Sequence, residues 1–125
     1  MLQTISTEKA PKAVGPYSQA IKTPGFVFCS GQIPLDPASG QLVTGSIADQ
    51  TRQVLTNLSN VLTSAGSDLS KVVKTTVFLK DMKDFEEMNA IYGEFFTQQK
   101  PARSTIQVAG LPKNANIEIE AIALV

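Results

Sequence analysis

The last nine residues, Ile117 to Val125, constrain the fold more than any other stretch. They read Ile-Glu-Ile-Glu-Ala-Ile-Ala-Leu-Val and alternate with the two-residue period of a strand. Both faces are apolar: Ile117, Ile119 and Val125 point one way, Ile122 and Leu124 the other. Such a strand is expected to be covered on both sides. Two carboxylates, Glu118 and Glu120, share the face of Ile122 and Leu124. A carboxylate among apolar side chains loses hydration, which raises its pKa and suits it to moving protons near neutral pH. The chain has no histidine, so acid–base chemistry falls to a carboxylate, a tyrosine or a lysine.

The 125 residues fit one domain, 1–125. Pro and Gly punctuate it at Gly15-Pro16, Pro24-Gly25, Pro34 to Gly40 and Gly110 to Asn116. Residues 18–23 and 26–31 read as a hairpin around Pro24-Gly25. From Ser46 to Ala65 the apolar positions Ile47, Val54, Leu58, Val61, Leu62 and Ala65 recur at helical spacing, with Ser46 as N-cap and Gly66 as the stop. Val72 to Lys80 reads as a strand, with Val73, Val77 and Leu79 on one face and Val72 and Phe78 on the other. Asp84 can cap a second helix lined by Phe85, Met88, Tyr92 and Phe95. Residues 104–109 and 117–125 complete the chain as strands. The order ββαβαββ implies an α+β two-layer sandwich with both helices on one face of a mixed sheet and at least one right-handed crossover. Two helices cover one face only. The second apolar face therefore implies burial against other copies of the chain.

Eleven basic and eleven acidic residues leave zero formal charge. This speaks against non-specific nucleic-acid binding and against an anionic membrane surface. No apolar run approaches the roughly 20 residues that span a bilayer. Met1 to Lys12 resembles neither a signal nor a transit peptide. The expected compartment is the cytoplasm, or an organellar matrix if a presequence has been removed. The single cysteine, Cys29, lies in the apolar run Phe26-Val27-Phe28-Cys29. It reads as a small core residue, with no histidine to activate it as a nucleophile. Asn57-Leu58-Ser59 matches a glycosylation acceptor but lies in a helical pattern. A Ser-His-Asp triad, a histidine metal site, a zinc cluster and a Gly-rich phosphate loop are all missing.

What remains is a set of polar residues in apolar surroundings. Arg103 follows Pro101-Ala102 just before a strand. It presents a rigid fork for a carboxylate, or else a surface cation or a salt bridge to a nearby glutamate. Glu120 is a proton carrier or a structural ion-pair partner, and Glu118 its solvated or structural companion. Tyr17 follows Gly15-Pro16 in a loop, as a ligand contact or as packing. Ser30-Gly31-Gln32 ends an apolar strand, where a glycine admits a turn or the close approach of a ligand. Asn89 adjoins Met88 of the second helix's buried stripe, as a ligand contact or a helix-to-strand hydrogen bond.

Five segments together resemble the RidA/YjgF family of reactive-intermediate deaminases, across essentially the whole chain. They are Ala13-Val14-Gly15-Pro16-Tyr17-Ser18-Gln19-Ala20, Ser30-Gly31-Gln32-Ile33-Pro34, Val72-Val73-Lys74-Thr75-Thr76-Val77-Phe78-Leu79, Pro101-Ala102-Arg103-Ser104 and Ile117-Glu118-Ile119-Glu120-Ala121-Ile122-Ala123. The resemblance implies a chorismate-mutase-like fold assembled as a homotrimer, with the sheets forming a central barrel and ligand clefts between subunits. It implies hydrolysis of 2-imino acids such as 2-iminobutanoate and 2-iminopropanoate, or their enamine tautomers, to 2-oxo acids and ammonia, with no cofactor and no metal. These unstable compounds are released by pyridoxal-phosphate-dependent dehydratases. By the same resemblance Arg103 would hold the substrate carboxylate, and Glu120 would activate water and pass a proton to the leaving nitrogen. Tyr17, Ser30, Gly31 and Asn89 would line the cleft. Thr105 replaces the cysteine of familiar bacterial members, with contact expected through its backbone amide. Some relatives carry a ribonuclease or translation-inhibitor role. The third alternative is a non-catalytic binder of small carboxylates or a holdase-like partner; binding alone would use Arg103 but not Glu120.

Overall fold

The computed structural model describes all residues, 1–125. One six-stranded mixed sheet carries two helices on one face. The strands are β1 (Gln3–Ile5), β2 (Ala20–Thr23), β3 (Phe26–Gln32), β4 (Val72–Leu79), β5 (Ala102–Gln107) and β6 (Ile117–Leu124). The helices are α1 (Ile47–Ser64) between β3 and β4, and α2 (Phe85–Phe95) between β4 and β5. Strand order is β1-β2-β3-β6-β4-β5. Only β4 and β5 pair in parallel, so β4-α2-β5 is a crossover unit, and C-terminal β6 runs antiparallel between β3 and β4. The α+β sandwich follows the reading from sequence, with β1 added at the sheet edge. Three residues carry too little periodicity to reveal that strand.

Helix α1 forms where the apolar spacing placed it. Ser46 Oγ accepts a 3.1 Å hydrogen bond from the Asp49 amide. At the far end Gly66 takes φ +83°. The amides of Ser67 and Gly66 donate back to Leu62 and Thr63 carbonyls at 2.9 and 3.0 Å, the paired closure that a left-handed glycine permits. Val54, Leu55, Leu58, Val61 and Leu62 are fully buried against Val27, Val77, Leu79, Ile117 and Ile119 of the sheet. Truncating one of the leucines to alanine costs about 2–5 kcal/mol.

Three local expectations are corrected. A register shift between Val72 and Lys74 reverses the first turn of strand parity. Val72, Thr75, Val77 and Leu79 are the buried set, and Val73 is exposed. A bulge adds one residue, and everything upstream of it changes face. Asp84 makes no capping bond at α2. Asp81 instead caps the preceding 3-10 turn, accepting from the Lys83 amide at 2.9 Å. Strand β5 begins at Ala102 rather than at 104, which puts Arg103 inside the strand.

The sheet face away from the helices is uncovered. Phe26, Phe28, Ile106 and Leu124 are each more than 40% exposed there, with Phe26 opposite Leu124 and Phe28 opposite Ile122 in register. The other face holds a single core of 22 buried residues.

Two buried amides tie loops to this frame. Gln19 Oε1 accepts from the Thr7 amide at 2.6 Å, and its Nε2 reaches the carbonyls of Thr7, Ala10 and Pro11. Asn57 of α1, wholly buried, donates to the carbonyls of Ile33 and Leu35. Together they fix the segments on either side of Tyr17 and Gly31.

Candidate active site

The predicted site residues fall into two clusters. The first lies where the N-terminal segment, the end of β3 and the 111–113 loop meet. Tyr17 and Gly31, with Gln19, Gln32, Lys12 and Lys113, line a cavity of about 250 Å³. The Tyr17 hydroxyl accepts a 3.3 Å hydrogen bond from the Val14 amide, and Ser30 Oγ donates to the Ser18 carbonyl at 2.5 Å. Glu118 lies over Gly31. A β-carbon built at position 31 would come within 2.7 Å of the Glu118 carboxyl carbon. A side chain at position 31 would therefore displace the Glu118 carboxylate; the backbone angles do not demand glycine.

Glu118 is half-buried. Burial is the main cause that raises its pKa above the ordinary carboxylate value, and the nearby Glu120 charge adds to it. No salt bridge compensates it. Glu120 is exposed on the same face, opposite Thr76. The two carboxylates thus differ in surroundings: Glu118 is the half-buried one, lying over Gly31. Parity placed both on one face; it could not show which of them Gly31 receives.

The second cluster is built by α2 and β5. Arg103 pairs in register with Thr75 of β4. Its guanidinium lies 4.8 Å from the ring centre of Tyr92 and 5.6 Å from that of Phe85. Asn89 stands between these aromatics on α2, four residues after one and three before the other, so it shares their stripe. Thr105 follows Arg103 by two residues and shares its face. Asn89 Oδ1 and Thr105 Oγ1 are buried without a hydrogen-bond partner, and Arg103 enters no ion pair. A cation with free donors beside two unpaired oxygens suits a small ligand that carries both a carboxylate and an N–H or O–H group.

The sequence reading missed Tyr92 and Phe85 as the platform of Arg103. Both were visible on the helical stripe, but beginning β5 at 104 hid the strand face they meet. The ion pair with Glu120, one of the two readings of Arg103, does not form within one chain. Arg103 is on the helix face and Glu120 on the open face, on strands separated by β4, about 10 Å apart in the sheet plane. One chain does not bring them to one small molecule. Cys29 is buried, and burial pushes its thiol up to about 12, in keeping with a core role. No group of three or more His, Cys, Asp or Glu side chains converges to hold a metal, and no helix is long and apolar enough to cross a membrane.

The family model described as endoribonuclease L-PSP matches residues 7–125. The chain belongs to this family, RidA/YjgF. Within it, the chain is 56% identical over 123 residues to a RutC family protein of Pyrococcus horikoshii, covering 98% of both. It is 51% identical to the human 2-iminobutanoate/2-iminopropanoate deaminase, covering 98% of this chain and 89% of that one. A crystal structure of a Rid family protein from Yersinia pestis superimposes with a TM-score of 0.97 at 48% identity, covering 100% of each chain. RidA/YjgF members thus share the fold, the two-helix layer and the mixed sheet.

Proposed function

We propose that this chain is an enzyme that hydrolyses 2-imino acids, of the 2-iminobutanoate and 2-iminopropanoate type, to 2-oxo acids and ammonia. The observation that carries the reading is Arg103, a carboxylate anchor with free donors on the helix face; the half-buried Glu118 lies over Gly31 on the other face. The human relative's name supports the substrate class.

The reaction needs little from the protein. A protonated imine carbon is already electrophilic, so positioning and proton transfer suffice. Arg103 binds the substrate carboxylate through two parallel N–H bonds. Glu118 accepts a proton from water as the water oxygen bonds to the imine carbon and the C=N π electrons move to nitrogen. The resulting carbinolamine collapses as its hydroxyl proton leaves, the C–N bond breaks, and nitrogen departs as ammonia with the proton relayed by Glu118. A raised pKa suits Glu118 to both directions of transfer. Asn89 and Thr105 supply acceptors for the substrate N–H, and Tyr17, Ser30 and Gly31 shape the opposite wall. Glu120 stands on the same face two residues along β6, where the neighbouring subunit would meet it.

Because the two clusters occupy different faces of the sheet, the complete site is assembled between subunits. The Arg103 cluster of one copy meets the Glu118 cluster of the next. The exposed Phe26, Phe28, Ile106 and Leu124 provide the apolar area for that packing, in a homotrimer. The family description also names a ribonuclease activity, which the neutral charge does not favour.

The test generates 2-iminobutanoate in place with threonine dehydratase and follows 2-oxobutanoate release. Acceleration by this protein, lost in Arg103→Ala and in Glu118→Gln, supports the reading. No acceleration by an intact oligomer, or RNA cleavage that survives both substitutions, sinks it.

A further inference from the structure

Arg103 is held by aromatic faces alone. It has no carboxylate partner, and as a residue of an edge strand it has a neighbouring strand on one side only. A free arginine side chain carries about 2 kcal/mol of rotamer entropy, so something must fix its direction before a substrate arrives. The ring of Tyr92, 4.8 Å away, is the nearer of its two platforms. The Tyr92 hydroxyl shares a 2.6 Å hydrogen bond with Thr75 Oγ1. Thr75 is wholly buried and is the residue in register with Arg103 on the adjoining strand. Thr75, Tyr92 and Arg103 therefore close a small loop of contacts from strand to helix and back to strand.

Packing alone does not call for this pair. Phe96 packs tilted against Tyr92 at 4.6 Å between ring centres without a hydroxyl, and Phe85 serves as the second platform without one. A valine and a phenylalanine would fill similar space with no buried polar atoms to satisfy. The hydroxyl pair adds direction: it sets the tilt and height of the ring. A guanidinium on that ring contacts it through its face, and its N–H edge stays free for a bidentate carboxylate.

We propose that Tyr92, locked by Thr75, is the positioning residue that aims Arg103 at the substrate carboxylate. This rests on the reading of Arg103 as the anchor. Burial raises the Tyr92 pKa above its ordinary value, against the opposing pull of the Thr75 bond and the Arg103 charge, so the hydroxyl stays protonated and the lock holds at working pH.

The experiment titrates the oligomer with 2-oxobutanoate by calorimetry. It measures melting temperature, mass, and KM and kcat for the imine alongside. Tyr92→Leu, which removes the ring, is expected to weaken 2-oxobutanoate binding about tenfold. Tyr92→Phe and Thr75→Val, which cut only the shared bond, are each expected to weaken it about two- to fivefold. The double variant should be no worse than the poorer single, because both remove one interaction. KM should rise in step with the lost affinity, while kcat changes less. Tyr92→Phe keeps the core filled and answers the question if Tyr92→Leu does not fold. Folded Tyr92 variants that lose melting temperature but keep wild-type affinity and KM would overturn the proposal and leave the pair a purely structural one. Arg103→Ala separates the layers. If it also keeps affinity, the anchor reading falls and this inference with it; if it alone loses affinity, only the inference falls.

Discussion

The two halves of the site solve opposite electrostatic problems. Around Arg103 a permanent charge is kept in place by aromatic faces and given no counter-ion, so its binding capacity is stored for a ligand. Around Glu118 a titratable charge is made uncomfortable by burial and by a like neighbour, so its proton affinity is what the fold adjusts. On the proposed reading the first half holds the substrate and the second transfers the proton. Both lack a paired opposite charge, and in each case an added salt bridge would remove the property that matters.

The largest effect should come from breaking the holding half. Arg103→Ala is expected to cut kcat/KM by a factor on the order of a hundred to a thousand, from the loss of two charge-assisted bonds, mostly through KM. Steady-state kinetics on dehydratase-generated imine measures it. In the transfer half, Glu118→Gln should lower kcat on the order of a hundredfold or more with a smaller change in KM. Glu120→Gln should cost less than Glu118→Gln, because burial within the chain acts on Glu118. Equal losses from the two glutamines would erase the distinction between them.

Gly31→Ala sharpens the comparison further. The new methyl displaces the Glu118 carboxylate, so kcat should fall about tenfold or more while 2-oxobutanoate affinity, set at Arg103, changes little. A smaller effect is thermodynamic. Glu118 binds its proton more tightly folded than unfolded, because its pKa is raised from 4.5. Its contribution is therefore present at pH below the unfolded value and is lost as pH rises through the folded one. Melting temperature measured upward from about pH 4.5 should fall less in Glu118→Gln than in the parent. The smallest expected effect is chemical silence: Cys29, pushed up to about 12, should resist alkylation at pH 8 until the chain is unfolded.

The helices, the long strands and the second apolar face were legible because their signals are periodic. Helix α1 followed from Ser46, Gly66 and the spacing between them. The site was legible as a collection of residues but not as a geometry. Glu118 and Glu120 are equivalent by parity, and only the fold of β3 against β6 puts Gly31 under one of them. The Val72–Lys74 bulge defeated parity, since nothing local marks an inserted residue in a run of Val and Lys. Tyr92 was read as core because a stripe of apolar spacing does not say which members also carry a charge on their faces.

Gln19 has a practical meaning for anyone altering this chain. One side-chain amide works as a rivet, fastening Thr7, Ala10 and Pro11 to the frame with four bonds. The start of the chain is therefore part of the mould that shapes the Tyr17 wall. A fusion partner placed ahead of β1 hangs from the sheet edge and leaves the rivet alone. A trimming that reaches Thr7 removes two of the four bonds and leaves the buried Gln19 Oε1 without its donor, which loosens that wall. In this protein the safe place to cut is set by one glutamine rather than by the boundary of any helix or strand.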